Sequence, residues 1–487
     1  MQPANTEPCP PMNIPPRTPS TTRWALTSLS LATLLASLGA SVATVGLPAL
    51  AQGLNASFQA VQWVVLAYLL AITTLIVSVG RLGDLLGRRP LLLAGILLFT
   101  LASGMCGLAP SLGWLIAGRA LQGLGAAIMM TLTLALVGET VVKEKTGSAM
   151  GLLGTLSAVG TALGPSLGGT LLGAFGWQAI FLVNVPFGLL TLILAWRSLP
   201  VRLATMKAGK IRFDGPGTLL LAAALGAYAL AMTQGHGSFG GSNFALLALA
   251  ALCTGLFVLV QTRAVSPLIP LGLFRDRLLV AGLTTHALVA TVMMATLLVG
   301  PFYLSIALGL PAPLVGLTLA VGPVTAALTG VPAGRLADRF GALPLRRVGL
   351  AVMLLGCTTL AILSPAFGTL GYVAAIMVTT LGYALFQTAN NTAVLADIPS
   401  GSRGVISGLL NLSRNLGFFT GASVLGAVFA AALPTSGINA AAPETVANGL
   451  NITFIAASLL IFMALLIVQL NPVPEPSDEC QAPPRQG

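Results

Sequence analysis

Four charges crowd into "GRLGDLLGRRP", residues 80–90, in a chain only 7% charged. Arg81, Arg88 and Arg89 surround Asp84, and Gly80, Gly83 and Gly87 are spaced among them. Such a set exchanges partners rather than breaking covalent bonds. An aspartate can accept from a guanidinium or sit at a positive helix N-terminus, while the glycines let backbones approach closely. A shorter echo, "GRLADRFG", repeats Gly334, Arg335, Asp338 and Arg339 in the same order. Two further cations, Arg119 and Arg414, stand inside apolar stretches, where ionisable groups are costly and are functional candidates by default. His286 is also embedded, and its unperturbed pKa of about 6.5 is the one nearest neutrality.

Bond-making chemistry has little to work with. There are two histidines, and the cysteines at 9, 106, 253, 357 and 480 have neither metal-like nor paired spacing. No carboxylate pair is embedded, and no G-x-x-x-x-G-K-[ST] loop could hold a nucleotide. No catalytic residue, metal or cofactor is therefore expected. The net charge of +11 is spread over short connections rather than gathered on one face, which argues against nucleic acid as a partner.

The elements that must position these residues are apolar runs. The chain is 56% hydrophobic with a mean hydropathy of +0.93, and its runs have about the 20 residues needed to cross a bilayer. Fourteen candidates emerge: 25–50, 60–79, 91–110, 114–138, 148–172, 178–196, 215–234, 243–261, 278–303, 312–332, 348–365, 369–392, 405–431 and 449–470. The first is far longer than the roughly 7–15 apolar residues of a secretory signal and is read as retained. Of 23 lysines and arginines, only Arg119 and Arg414 fall within the runs. The others occupy the tails and alternate connections, including Lys143, Lys145, Arg346 and Arg347, whereas "GSFGGSN" and its counterparts carry none. By the positive-inside bias both termini face the cytoplasm. The fold class is an all-α polytopic membrane protein, placed in the cell (inner) membrane, with the bilayer as a partner.

Five segments follow: a disordered cytoplasmic tail (1–23), a six-helix bundle (24–197), a cytoplasmic linker with two inserted helices (198–262), a second six-helix bundle (263–470) and a second disordered tail (471–487). Both charged motifs follow the second helix of a bundle. Two similar halves suggest a transporter with a path between them.

With these motifs in order, the sequence resembles the major facilitator superfamily, specifically its fourteen-helix drug:proton antiporters. "GRLGDLLGRRP" looks like the signature loop between helices 2 and 3, and "RALQGLGAA", with Arg119, Gln122 and Gly123, is similar to the helix-4 motif. "GTALGPSLGG", holding Gly160, Gly164, Pro165, Gly168 and Gly169, resembles the helix-5 motif associated with exporters. "WQAIFLVNVPFG" and "QWVVLAYLL" match patterns of the fourteen-helix branch. The resemblance implies a monomeric secondary transporter exporting small amphipathic molecules in exchange for protons. It also implies that Asp84 clasps the halves near the start of helix 13 when the cavity faces outward. An uptake or exchange permease, or a transporter-like sensor, is the alternative.

One residue departs from the pattern: "LGASVATVGLP" has Gly39 where such relatives carry a helix-1 aspartate. Proton coupling then falls to His286, Glu139 or Asp84. Asn184, Gln387, Asn390, Asn391, Asn411 and Asn415 are candidates to line the path or bridge helices. Without the helix-1 carboxylate, Arg119 and Arg414 are expected to disfavour dicationic substrates.

Overall fold

A computed structural model describes residues 19–141, 146–199, 214–234, 240–264, 271–395, 403–434 and 438–471. The expected tails, Lys143, Lys145 and most of the cytoplasmic linker lie outside the described residues. The described chain is helical throughout, without a strand. In lipid every backbone polar group must be satisfied within its own segment, which a helix achieves.

The first half comprises α1 (Pro19–Val45), the short α2 (Leu47–Gly53), α3 (Phe58–Leu86), α4 (Arg88–Gly107), α5 (Leu112–Thr140), α6 (Thr146–Phe175), the single turn α7 (Ala179–Leu182) and α8 (Asn184–Ser198). Then come α9 (Gly215–Thr233) and α10 (Gly241–Arg263). The second half contains α11 (Arg277–Phe302), α12 (Ala312–Phe340), α13 (Ala342–Ala361), α14 (Gly368–Leu395), α15 (Arg403–Thr420), α16 (Gly426–Ala431) and α17 (Pro443–Leu470). Among the described residues, 13 helices are long and apolar enough to cross a membrane. The remaining expected run, 405–431, is present as α15 and α16 joined by a π-helical turn at Gly421–Leu425. Asn411, Arg414 and Asn415 make α15 more amphipathic than its neighbours, which is why apolarity alone passes over it.

Three expectations are corrected. The 80–90 motif is not a loop: residues 80–86 complete α3, and Gly87, at φ +90°, is all that separates α3 from α4. The echo repeats this device, since residues 334–340 complete α12 and Gly341 turns the chain at φ +84°. Only glycine adopts that region readily. The first apolar run breaks at Gly46, where α1 gives way to α2. Arg346, read as lying in a connection, sits in the second turn of α13 and is 1% exposed.

α1, α3, α4, α5, α6 and α8 pack on one another, as do α11 to α17, and the two sets meet along α6–α12 and along α3 with α15 and α16. Because successive spans alternate in direction, the ends bearing Arg81, Arg88, Arg89, Arg197, Arg263, Arg277, Arg335, Arg339 and Arg403 share one side. The inserted pair is pinned to itself and to α3. Asp214 accepts from Gly217 N (2.9 Å) and Gln261 Nε2 (2.6 Å), and Asn243 donates to Ala231 O (2.7 Å). The Ser78 and Thr218 hydroxyls lie 2.7 Å apart, and Trp63 Nε1 donates to Thr233 Oγ1 at 3.1 Å. Cys106, Cys253 and Cys357 are buried and free, as small packing residues should be.

Candidate functional site

The glycine-rich motif of α6 serves two interfaces. Gly160, Gly164 and Gly168 recur every four residues and so share a face, which lies on α1. A Cβ on Gly160 would stand 2.6 Å from Leu34 O, and one on Gly168 3.0 Å from Val42 Cγ2. Gly169 points elsewhere, across to the second half. Its Cβ would be 2.6 Å from Ala312 O and 2.8 Å from Gly316 Cα, while one on Gly316 would strike Pro165 O. α6 and α12 therefore cross backbone on backbone, near the ends away from the arginine-rich side.

The other seam closes at the same level. Phe58 of α3 packs edge-on to Phe302 (5.1 Å) and Phe429 (5.0 Å) of the second half, and Gln62 Nε2 donates to Ala422 O. Toward the arginine-rich side α12 loses its cover, with no residue buried from Pro323 to Pro332, while Ile76 of α3 still packs on the cluster of Leu279, Ile406 and Leu409 in the second half. The α6–α12 seam is thus tight at one end and loose at the other.

At the arginine-rich end Asp84 takes both guanidinium bonds from Arg88, four residues on, with Nη2–Oδ1 at 2.8 Å. Both side chains are about one-third or more exposed, so this pair contributes little stability. Among the described residues Asp84 forms no ion pair with the second half. Asp338 forms none among the described residues, and Arg339 lies 5.2 Å from the Phe340 ring. Gly83 lets α3 approach Leu132 of α5, whereas Gly334 has open space beside it.

Arg119 does not snorkel. It is fully buried inside the first half, where Nε donates to Val64 O (2.9 Å) and Nη1 to Gly39 O (3.0 Å) and Gln122 Oε1 (2.5 Å). Gln122 Nε2 in turn donates to Ser103 Oγ at 2.7 Å, and the guanidinium lies 4.2 Å over the Tyr68 ring. Two carbonyls, an amide and an aromatic face hold the cation where a carboxylate is missing. Gly39 faces this packing, since Phe99 Cζ would lie 2.8 Å from its Cβ. Gly123 allows the approach by presenting no side chain to Tyr68 O.

Arg414 differs. It is half-buried, and its Nη2 donates to the neutral Asn411 Oδ1 (2.9 Å) while Nε is buried without a partner. His286 is 2% exposed, and neither ring nitrogen has a partner. Tyr383 of α14 is half-buried, one helical turn before Gln387.

The amides divide cleanly. Asn184 is buried and donates to Ile180 O (3.4 Å) and Phe181 O (3.3 Å) across the α7–α8 break, and Asn390 is buried and donates to Gly282 O at 3.3 Å. Asn415 is buried too. Gln387, Asn391 and Asn411 are half-buried. Glu139 falls in the last turn of α5, and its side chain lies outside the described residues. Tyr68, Ser103 and Tyr383 were missed in the sequence, because two tyrosines and a serine inside apolar runs carry no periodic or charge signal.

Two packed sets of membrane-spanning helices, with arginines and amides set between apolar runs, have the architecture of a membrane transporter. Residues 29–422 match the Major Facilitator Superfamily, and the chain belongs to that family. Among curated relatives it is 29% identical to the riboflavin transporter RibZ of Clostridioides difficile, over 84% of this chain and 89% of that one. It is 30% identical to the multidrug efflux pump LfrA of Mycolicibacterium smegmatis, over 85% and 83%. In fold it is similar to a bacterial homologue of the human lysosomal transporter Spinster in an inward-facing, unoccupied conformation. That match has TM-score 0.68 and 16% identity, covering 93% and 97% of the two chains.

Proposed function

We propose that this protein exports small amphipathic molecules by alternating access, in exchange for protons, as a monomer in the cell membrane. The arginine-rich side is taken as cytoplasmic, following the bias of basic residues. The observation that carries the reading is the glycine-on-glycine crossing of Gly169 and Gly316, with α12 unburied from Pro323 to Pro332 toward the opposite side. It makes the outer end a tight, leak-resistant closure and the inner end a mouth for cytoplasmic substrate. When the outer end parts, Asp84 exchanges its local Arg88 partner for the start of α15 and clasps the halves, 24–197 and 263–470, on the inner side. Likeness to multidrug efflux pumps supports the direction and the substrate class.

Everted membrane vesicles test this. An acidified lumen should drive accumulation of an amphipathic dye, and an uncoupler should abolish it. Accumulation in right-side-out vesicles instead would favour an uptake or exchange permease, a second reading to which the likeness to a riboflavin transporter lends weight.

A further inference from the structure

The two embedded arginines look equivalent in the sequence, but the fold gives them opposite surroundings. Arg119 is fully buried among carbonyls and rings of its own half, with Nη2 left unpartnered there. Arg414 has one amide partner and an unpartnered buried Nε, and it stands on the less buried stripe of α15 with Asn411. A charged stripe facing hydrocarbon would be costly, so it faces the interior between the halves. α14 presents a matching stripe, since Tyr383, Gln387 and Asn391 follow one another at four-residue spacing and all are half-buried.

Behind this wall sits His286 of α11, 2% exposed with both nitrogens unpartnered. A neutral imidazole has one donor and one acceptor nitrogen, and Asn391 Oδ1 on the wall is likewise buried without a partner, so the one unmatched charge there is that of Arg414. Nor, among the described residues, is a carboxylate paired with Arg414. Among the described residues Asp84, Asp214, Asp276, Asp338 and Glu444 stand at helix ends, and two of them, Asp214 and Asp276, are helix caps.

We propose that the α14–α15 wall binds the anionic group of an amphipathic organic substrate, a carboxylate or sulfonate, with Arg414 as the selecting charge and Asn411 holding its guanidinium in place. The proposal rests on the transporter reading and names the substrate class that reading leaves open. A fixed cation that is half withdrawn from water attracts an anion more strongly than it would at the surface and repels a cation equally.

Fluorescein and rhodamine 123 share a xanthene frame and differ in charge, so they make the test pair. Fluorescence polarisation on the purified full chain should show fluorescein binding more tightly than rhodamine 123. Arg414→Gln should weaken fluorescein about tenfold or more, as loss of a charged hydrogen bond implies, and leave rhodamine 123 equal or tighter. Arg414→Lys, which keeps the charge without the fork, should recover part of the fluorescein affinity and guards against misfolding of the glutamine variant. Asn411→Leu should weaken fluorescein selectively.

Tighter binding of rhodamine 123 by the native protein, or fluorescein affinity indifferent to Arg414→Gln, overturns the proposal. Failure to bind either dye also overturns it. If everted vesicles still accumulate rhodamine 123 in such a case, export stands and only the anion site falls.

Discussion

Replacing Gly169 with alanine adds one methyl group at the crossing of α6 and α12, and the structure sets its cost. That carbon would lie 2.6 Å from Ala312 O and 2.8 Å from Gly316 Cα, both backbone atoms that cannot rotate aside. Ordinary carbon contacts are about 3.5–4.0 Å, so the helices must part by about 1 Å. Overpacking of this kind costs about 1–3 kcal/mol. The cost falls on the conformation closed at this end, because the crossing is broken once the end opens. The shift toward the opposite conformation is therefore about 5- to 150-fold. Spin labels at Phe175→Cys and Leu314→Cys, exposed positions on the two helices, would report it as a distance in a background lacking the native cysteines. A longer population should appear with Gly169→Ala and not with Gly255→Ala, whose Cβ would meet nothing within 4 Å. Identical distance distributions in native and Gly169→Ala protein, at equal yield, would refute the reasoning.

Asp84→Asn should nearly abolish export while leaving membrane abundance intact, because the ion pair it removes is exposed and contributes little to folding; normal export by an abundant variant would remove Asp84 from gating. Ser242→Cys should react with an impermeant maleimide added outside whole cells, and Ala208→Cys only in everted vesicles; labelling from one side alone would refute the inserted helix pair. Gln122→Leu strips Arg119 and Ser103 of a buried partner at a cost of about 1–3 kcal/mol, visible as a lower thermal midpoint in detergent, and an unchanged midpoint would show the network to be dispensable. His286→Gln should flatten the pH profile of export while transport persists, and an unchanged profile would shift coupling to Glu139 or Asp84.

The spans were legible because each is a run of apolar residues ended by charge or glycine, and the Gly160–Gly164–Gly168 spacing announced a packed face. The second face was not legible. Gly169 belongs to the same motif, but its partner Gly316 is far away in sequence, and only the crossing of the halves reveals it. Local spacing likewise could not separate Arg119 from Arg414, since each is a lone arginine in an apolar run and the difference lies in which carbonyls and rings other helices bring. The 80–90 motif misled in its secondary structure. Charge and glycine usually mark a loop, yet residues 80–86 stay helical and Gly87 alone makes the turn.

The inserted pair makes the molecule lopsided in the plane of the membrane. α9 is fastened to α3 at Ser78 and Trp63, and Tyr228 reaches over to Phe419 and Thr420 of the second half. One flank of the seam between the halves is therefore roofed by protein, while the α6–α12 flank has no such cover among the described residues. On the arginine-rich side the two flanks therefore differ: α12 is bare from Pro323 to Pro332, whereas α9 lies along α3 and shields that flank from acyl chains.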